Sequence, residues 1–213
     1  MDRRGERTLL AERIDRDLGP FDPRHLEALV EVDRARFVRS NDKARANDDV
    51  PLALDDFGQA TVSAPHAYLL SFRLLELAKG DRVVELGTGT GYGAALASFV
   101  VGGEGVVTTF EIESALAITA RELLRPERNV TVLEGDAIAS APLWRSPARV
   151  TCTFAVESIP DEWVASLPRG AILVAPVGPR DRTQRLVRVV MMDDGPRVTD
   201  HGGVRYVFNR GGS

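Results

Sequence analysis

A short apolar strand that runs directly into four alternate glycines limits the possible folds of this 213-residue chain more than any other feature. Residues 83–93 read Val-Val-Glu-Leu-Gly-Thr-Gly-Thr-Gly-Tyr-Gly, and a helix-compatible apolar run follows over 94–101. Glycine lacks the Cβ atom that would hold a neighbour away, so this spacing marks a close approach to the backbone. Strand, glycine turn and helix in this order predict an open α/β sheet with a nucleotide site at the carboxyl ends of its strands.

The glycine spacing distinguishes three classes of nucleotide site. A P-loop would end in Gly-Lys followed by Ser or Thr, and that ending is absent. The dinucleotide fingerprint needs a further glycine where this chain has Tyr92 or, in another register, Leu96. Glu85 followed by Gly-x-Gly-x-Gly instead resembles the S-adenosylmethionine-dependent methyltransferases. For the glycine run alone, an ordinary tight strand-to-helix turn remains the alternative.

Acidic residues at two later strand ends favour the methyl-donor interpretation. The apolar run 106–110 ends at Glu111, where a carboxylate can accept hydrogen bonds from both ribose hydroxyls. The run 130–133 leads to Asp136, which we expect beside the adenine. Either acid alone could be merely a solvated strand end, but the series of strand ends in sequence order predicts a donor site.

Composition restricts the partners. A net charge of −4 and a pI near 5.5 argue against nucleic acid, which needs a concentrated basic face. The single cysteine, Cys152, predicts a buried thiol and a reducing, cytoplasmic location. Neither a signal peptide nor an apolar run near 18 residues is found, so no membrane association is expected. The three histidines are too scattered to predict a metal site, and we expect a monomer.

Alternating strand and helix patterns predict a doubly wound, Rossmann-like α/β sheet that ends in an antiparallel edge hairpin. The expected organisation is a single domain, 1–213, with N-terminal helices and a substrate-side segment (1–78), a donor-binding core (79–178) and a C-terminal hairpin (179–213). Helices are predicted to end near residues 19–20, at about 37 and at about 78. The core strands are predicted at 82–86, 106–110, 130–133, 149–154 and 171–176, and the hairpin strands at 183–192 and 197–208. The aperiodic segment 38–62 has the length of a functional loop.

Several segments together resemble the protein-L-isoaspartate (D-aspartate) O-methyltransferase family. The most specific is Phe-Gly-Gln-Ala-Thr-Val-Ser-Ala-Pro-His at 57–66, and further similar segments lie at 32–38, 49–52, 159–160 and 170–178. The resemblance covers roughly residues 26–207. It implies methyl transfer from S-adenosylmethionine to the free carboxylate of an isoaspartyl residue in a damaged peptide or protein. The resulting ester collapses to a succinimide, which can hydrolyse to normal aspartate.

The resemblance also implies roles for particular residues. Ser63 matches the family's active-site serine, whereas its position before a helix predicts an N-cap, and both roles can coexist. His66, in the first turn of the same helix, is expected to be a packing or rim residue and not a catalytic base. The residues expected to hold the donor are Thr61, Val62, Glu85, Gly87, Thr88, Gly89, Gly91, Glu111, Ile112, Asp136 and Ala137.

This chemistry explains why the sequence has no Ser-His-Asp or Cys-His arrangement. A carboxyl group with a pKa of about 4 is already ionised at neutral pH, so the acceptor needs no base. Two departures from the family pattern, Arg149 and Glu157, leave open a specialised relative that methylates an aspartate of one particular peptide. A donor-binding interaction protein without turnover is a third alternative.

Overall fold

The computed structural model describes residues 2–144 and 149–208 as an α/β fold around a seven-stranded mixed sheet. The helices are α1 (Arg3–Leu18), α2 (Pro23–Glu31), α3 (Pro65–Leu75), α4 (Tyr92–Val101), α5 (Ser114–Leu123) and α6 (Asp161–Ser166). The strands are β1 (Leu52–Ala53), β2 (Thr61–Val62), β3 (Arg82–Leu86), β4 (Val106–Glu111), β5 (Val130–Glu134), β6 (Arg149–Cys152), β7 (Ile172–Val177), β8 (Gln184–Met192) and β9 (Gly195–Val204). Short 3₁₀ helices cover Arg34–Arg36, Ser40–Arg45 and Ile138–Leu143.

The strand order β5-β4-β3-β6-β7-β8-β9 confirms the predicted doubly wound sheet. The strands from β5 to β7 are parallel, and β8 and β9 add an antiparallel hairpin at one edge. From β3 the chain proceeds first to β4 and β5 on one side, and later to β6 and β7 on the other. The carboxyl end of β3 is therefore the topological switch point, where open α/β sheets bind ligands.

Side chains that alternate along the strands form two hydrophobic clusters. Val83 belongs to the cluster that α1 to α4 share, and the next residue, Val84, belongs to the cluster around Trp144 and Trp163. Both faces of the central strands are therefore buried, as parallel sheets require. In residues 2–144 and 149–208, no helix is both long enough and apolar enough to cross a bilayer.

The N-terminal segment differs from the prediction at one helix end. α2 ends at Glu31 rather than at residue 37, because Val32 takes an extended backbone conformation. Asp33 then caps the 3₁₀ turn Arg34–Arg36 by accepting a hydrogen bond from the Ala35 N–H. The aperiodic segment 38–62 contains a second 3₁₀ turn and the small antiparallel hairpin β1–β2.

Three other predicted elements also have different bounds. α3 ends at Leu75, three residues early, because Glu76 adopts a left-handed conformation with φ of 53°. β6 ends at Cys152 rather than at 154, and the last strand covers 195–204 instead of 197–208. Residues 145–148 and 209–213 lie outside the described residues. The second range is the last part of the predicted C-terminal hairpin region, 179–213.

Candidate functional site

A cleft with an empty volume of about 590 Å³ lies over the carboxyl ends of β3, β4 and β5. Seven of the residues predicted to hold the donor line it: Thr61, Gly87, Gly89, Glu111, Ile112, Asp136 and Ala137. We call this cleft the main cavity. Strands that lie apart in sequence thus bring their predicted site residues together.

Residues 87–91 form the glycine loop, which packs so closely against its neighbours that side chains would clash at two of its glycines. Gly87 has a φ of +94°, and a Cβ atom there would lie 2.4 Å from the Thr153 Oγ1 atom. Thr153 donates a hydrogen bond of 2.6 Å from this hydroxyl to the Gly87 carbonyl oxygen and so fixes the loop against β6. Gly91, with a φ of +101°, faces Leu124 instead of the cavity. Its predicted donor contact stays a prediction; its positive φ lets the loop turn into α4.

Glu111 ends β4 with its carboxylate held by the backbone. Its Oε2 atom accepts a hydrogen bond from the Gly89 N–H at 2.7 Å, and its Oε1 atom accepts one from the Glu113 N–H at 3.0 Å. Burial raises the pKa of Glu111, and the N–H donors oppose that rise. Because each carboxylate oxygen has a second lone pair, both oxygens can still accept hydrogen bonds from a ligand.

Glu85 lies buried beneath the glycine loop and is not among the residues that line the main cavity, so its predicted contact with the donor stays a prediction. Its Oε2 atom accepts a hydrogen bond from the Thr109 hydroxyl at 2.7 Å, and Thr109 also bonds to Thr88 at 2.6 Å. A Cβ atom on Gly93 would lie 2.1 Å from the Glu85 Oε1 atom, so this glycine leaves room for the carboxyl group. Burial raises the pKa of Glu85 to about 8, and the Thr109 hydroxyl opposes that rise. Glu85 therefore supports the loop from below.

Replacing Glu85 with glutamine should stabilise the protein at alkaline pH. Folding raises the pKa of this carboxyl group to about 8. The folded state therefore loses stability progressively as the pH rises from the carboxyl's pKa in the unfolded chain toward 8. Glu85→Gln removes the ionisable group and keeps an acceptor for Thr109, so we expect a gain of roughly 2–4 kcal/mol at pH 8. Urea unfolding of both proteins at pH 5 and pH 8 measures this. A gain of equal size at the two pH values would contradict the buried ionisation.

A smaller pocket adjoins the main cavity and contains Ser63. Thr61, Gly87, Gly89 and Thr153 line both spaces, and Val62, Ser63 and Thr88 line the smaller one, which we call the serine pocket. The Ser63 N–H donates a hydrogen bond to the Tyr68 hydroxyl at 3.2 Å. The geometry thus places Ser63 beside the glycine loop.

Ser63 is not the N-cap of α3, contrary to the prediction. Ala64 occupies the N-cap position and offers no side-chain hydrogen bond. The Asp49 carboxylate reaches across instead and accepts hydrogen bonds from the His66 N–H and from the His66 ring, both at 3.0 Å. Burial works to raise the pKa of Asp49, but the hydrogen bonds from His66 leave it below its usual value. The Ser63 hydroxyl is therefore not committed to capping.

Aromatic and C-terminal residues of the main cavity were missed by the sequence reasoning. Phe154 follows β6, and its position after a fourth parallel strand was a usable signal. Val207 and Phe208 reach the cavity through a bridge between Ala155 and Phe208, which no local pattern indicates. These residues add apolar side chains to the lining of the main cavity.

The two departures from the family pattern lie away from the cavity. Arg149 starts β6, at the opposite end of the strand from the site, and forms an ion pair with Asp81 at 3.5 Å. Glu157 is exposed and does not line the main cavity. Neither side chain therefore supports an altered acceptor.

A family model described as protein-L-isoaspartate(D-aspartate) O-methyltransferase matches residues 8–211. The chain belongs to this family. A curated relative from Paracoccus denitrificans, named protein-L-isoaspartate O-methyltransferase, is 37% identical over 194 residues, which are 90% of this chain and 88% of the relative. Protein-L-isoaspartate O-methyltransferase 2 of Archaeoglobus fulgidus is 36% identical over an alignment of 215 positions, which covers 99% of this chain and 95% of the relative. The family resemblance found in the sequence is thereby confirmed.

Solved structures share the fold along nearly the whole chain. A protein-L-isoaspartate O-methyltransferase superposes with a TM-score of 0.87 at 24% identity over 98% of this chain, which spans 66% of that protein's length. A Plasmodium falciparum structure, described as a putative member in complex with S-adenosyl-L-homocysteine, gives a TM-score of 0.82 at 19% identity, covering 96% of this chain and 98% of that one. Members of the family therefore have this sheet and this arrangement of helices.

Proposed function

We propose that this protein transfers a methyl group from S-adenosylmethionine to the free carboxylate of isoaspartyl residues and so initiates repair through a succinimide. The proposal rests mainly on one observation: the main cavity and the serine pocket share part of their lining. Thr61, Gly87, Gly89 and Thr153 line both the main cavity and the serine pocket. A donor in the first and a carboxylate in the second would meet across the glycine loop. Family membership supplies the class of acceptor.

The residues of the main cavity fit the proposed donor. Glu111 offers two carboxylate oxygens for ribose hydroxyls, and Asp136 lies at the next strand end. Gly87 and Gly89 allow the ligand to lie against the backbone, and Phe154 adds an apolar surface for the base. Carboxylates around the site also suit a donor that carries a sulfonium cation.

The chemistry requires alignment more than proton transfer. When bound, S-adenosylmethionine supplies an electrophilic methyl group whose transfer to a carboxylate oxygen leaves a neutral thioether, with no proton to move. The protein must hold the acceptor oxygen about 3 Å from the methyl carbon and exclude water. We assign to Ser63 a hydrogen bond to the acceptor carboxylate, since its hydroxyl is not committed to capping α3.

Ser63→Ala should therefore lower turnover and leave donor binding nearly unchanged. Loss of one hydrogen bond to a charged group costs about 1.5–3 kcal/mol, which corresponds to roughly a 10- to 100-fold fall in kcat/KM for an isoaspartyl peptide. Donor affinity from calorimetry and initial rates give the two numbers. Ser166→Ala, which removes an exposed hydroxyl on α6, is the matched control. Equal losses of donor affinity and turnover would assign Ser63 a purely structural role.

Mass spectrometry of one isoaspartyl hexapeptide tests the product. The proposed reaction adds one methyl group, and mild alkali converts the ester to a succinimide and then to a mixture of aspartyl and isoaspartyl peptides. Methylation at any other group would reject the proposal. A protein dedicated to one peptide would methylate only that peptide, and a binding protein would retain donor affinity without turnover.

The proposal includes a monomeric enzyme in the cytoplasm. Cys152 is the single cysteine of the chain and is buried, so no internal disulfide can form, which suits a reducing compartment. Sedimentation of the purified protein tests the oligomeric state.

A further inference from the structure

Arg34 is a buried cation that donates hydrogen bonds to several backbone carbonyl groups within residues 46–63. Its side chain is 1% exposed. Its Nη1 atom donates to the carbonyl oxygens of Ala46 and Asp48 at 3.2 and 3.0 Å. Its Nη2 atom donates to those of Val50, Val62 and Ser63 at 2.8, 3.1 and 3.0 Å. Five carbonyl oxygens thus meet at one guanidinium group.

These carbonyls flank the β1–β2 hairpin on both sides. The segment 46–50 precedes β1, and Val62 and Ser63 end and follow β2. The tip of this hairpin borders the main cavity through Gln59 and Ala60. Arg34 therefore closes the base of the hairpin and fixes the carbonyl of Ser63 itself.

The same contacts determine where α3 begins. Arg34 holds the carbonyls of Asp48 and Val50, the two neighbours of Asp49. The Asp49 carboxylate in turn accepts the hydrogen bonds from His66 in the first turn of α3. The segment between β2 and α3, which contains Ser63, is thus held from both of its ends.

The turn that carries Arg34 is fixed to the glycine loop. The Thr90 hydroxyl donates a hydrogen bond of 2.6 Å to the carbonyl of Phe37, which ends the 3₁₀ turn. The Arg34 guanidinium also lies over the Tyr92 ring, 5.9 Å from its centroid. A continuous path of contacts therefore runs from the donor loop through Arg34 to Ser63.

We propose that Arg34 is the positioning residue that sets the acceptor-side segment, Ser63 included, against the methyl-donor loop. The catalytic consequence of this inference rests on the proposed function. The positioning itself does not depend on which group accepts the methyl. Lysine cannot replace arginine in this role. A single ammonium group has three donors at one point and cannot reach carbonyls spread around a planar fork.

The test compares Arg34→Lys with Arg24→Lys. Both variants keep the charge and remove a guanidinium that donates to backbone carbonyls, because Arg24 donates to Phe99 and Val100 at 2.7 Å. Arg24 contacts α4 and not the hairpin. We expect Arg34→Lys to lower kcat/KM for an isoaspartyl hexapeptide roughly 10- to 100-fold, the scale of a small misplacement of reacting groups. The donor Kd should stay within about twofold, and Arg24→Lys should keep wild-type kinetics.

Hydrogen exchange gives a second readout that needs no acceptor. In Arg34→Lys, amide protection should fall within residues 46–66 and remain elsewhere, whereas Arg24→Lys should leave that segment protected. If wild-type enzyme fails to methylate isoaspartyl peptides, the proposed function is rejected and exchange alone decides the role of Arg34. If Arg34→Lys does not fold, Asp49→Ala, which releases the same segment at His66, should give the same separation between kcat/KM and donor Kd. Parallel loss of donor binding and activity, or unchanged protection of 46–66, would overturn the proposal.

Discussion

Gly87→Ala is expected to abolish measurable donor binding and to destabilise the protein. Two independent costs add at this position, since a left-handed backbone conformation costs an alanine about 1–2 kcal/mol and close packing against a rigid neighbour costs about 1–3 kcal/mol more. The added Cβ atom would lie 2.4 Å from Thr153 Oγ1 and 2.9 Å from Phe154 Cδ1. Relief of that clash would displace the loop that lines both cavities, so donor affinity should fall more than 100-fold, above about 2.7 kcal/mol.

Gly80→Ala separates backbone strain from the clash. Gly80 has a φ of +84°, and an added Cβ atom would meet nothing within 4 Å. This control should lose only about 1–2 kcal/mol of unfolding free energy and should bind the donor normally. Urea unfolding and calorimetry with S-adenosylmethionine give both quantities for each variant. Donor affinity that survives in Gly87→Ala would remove the glycine loop from the binding site.

Glu111→Ala should weaken donor binding without preventing folding. The variant loses the proposed bonds to the ribose hydroxyls and frees the N–H groups of Gly89 and Glu113. Hydrogen bonds to a charged group contribute about 1.5–3 kcal/mol, so the donor Kd should rise roughly 10- to 100-fold. The effect should appear in the donor Kd, with a smaller change in the KM of the peptide.

Glu134→Ala is the matched control for this change. Glu134 pairs with Glu111 across β4 and β5 and also ends its strand, but it does not line the main cavity. Its replacement should leave the donor Kd unchanged and remove only exposed contacts with Ser114 and Arg121. An unaltered Kd in Glu111→Ala, or equal effects of the two substitutions, would refute the ribose role of Glu111.

The meeting of the glycine and acidic residues at the main cavity could be predicted because its information is local. Gly87, Gly89, Glu111 and Asp136 each sit at or just after the end of an apolar run, and parallel strands bring such ends to one edge. The antiparallel hairpin was equally readable, since Asp193-Asp194 provides the turn between β8 and β9. Only the exact strand ends shifted by a few residues.

The remaining features depend on contacts between distant parts of the chain. Glu85 is buried beneath the glycine loop and accepts a hydrogen bond from Thr109. The strand pattern in the sequence does not specify this contact. The cap of α3 comes from Asp49, 17 residues before His66. The five carbonyls at Arg34 come from segments up to 29 residues away. The spacing of apolar residues along the sequence does not indicate such contacts between distant segments, so they are seen only in the folded structure.

One assay decides whether an isoaspartyl carboxylate is the acceptor. Purified protein is incubated with methyl-labelled S-adenosylmethionine and with hexapeptide pairs of several unrelated sequences, each pair differing only in isoaspartate or aspartate at one position. The repair function predicts base-labile label on every isoaspartyl peptide and none on the aspartyl partners. Donor binding without label on any isoaspartyl peptide would contradict it.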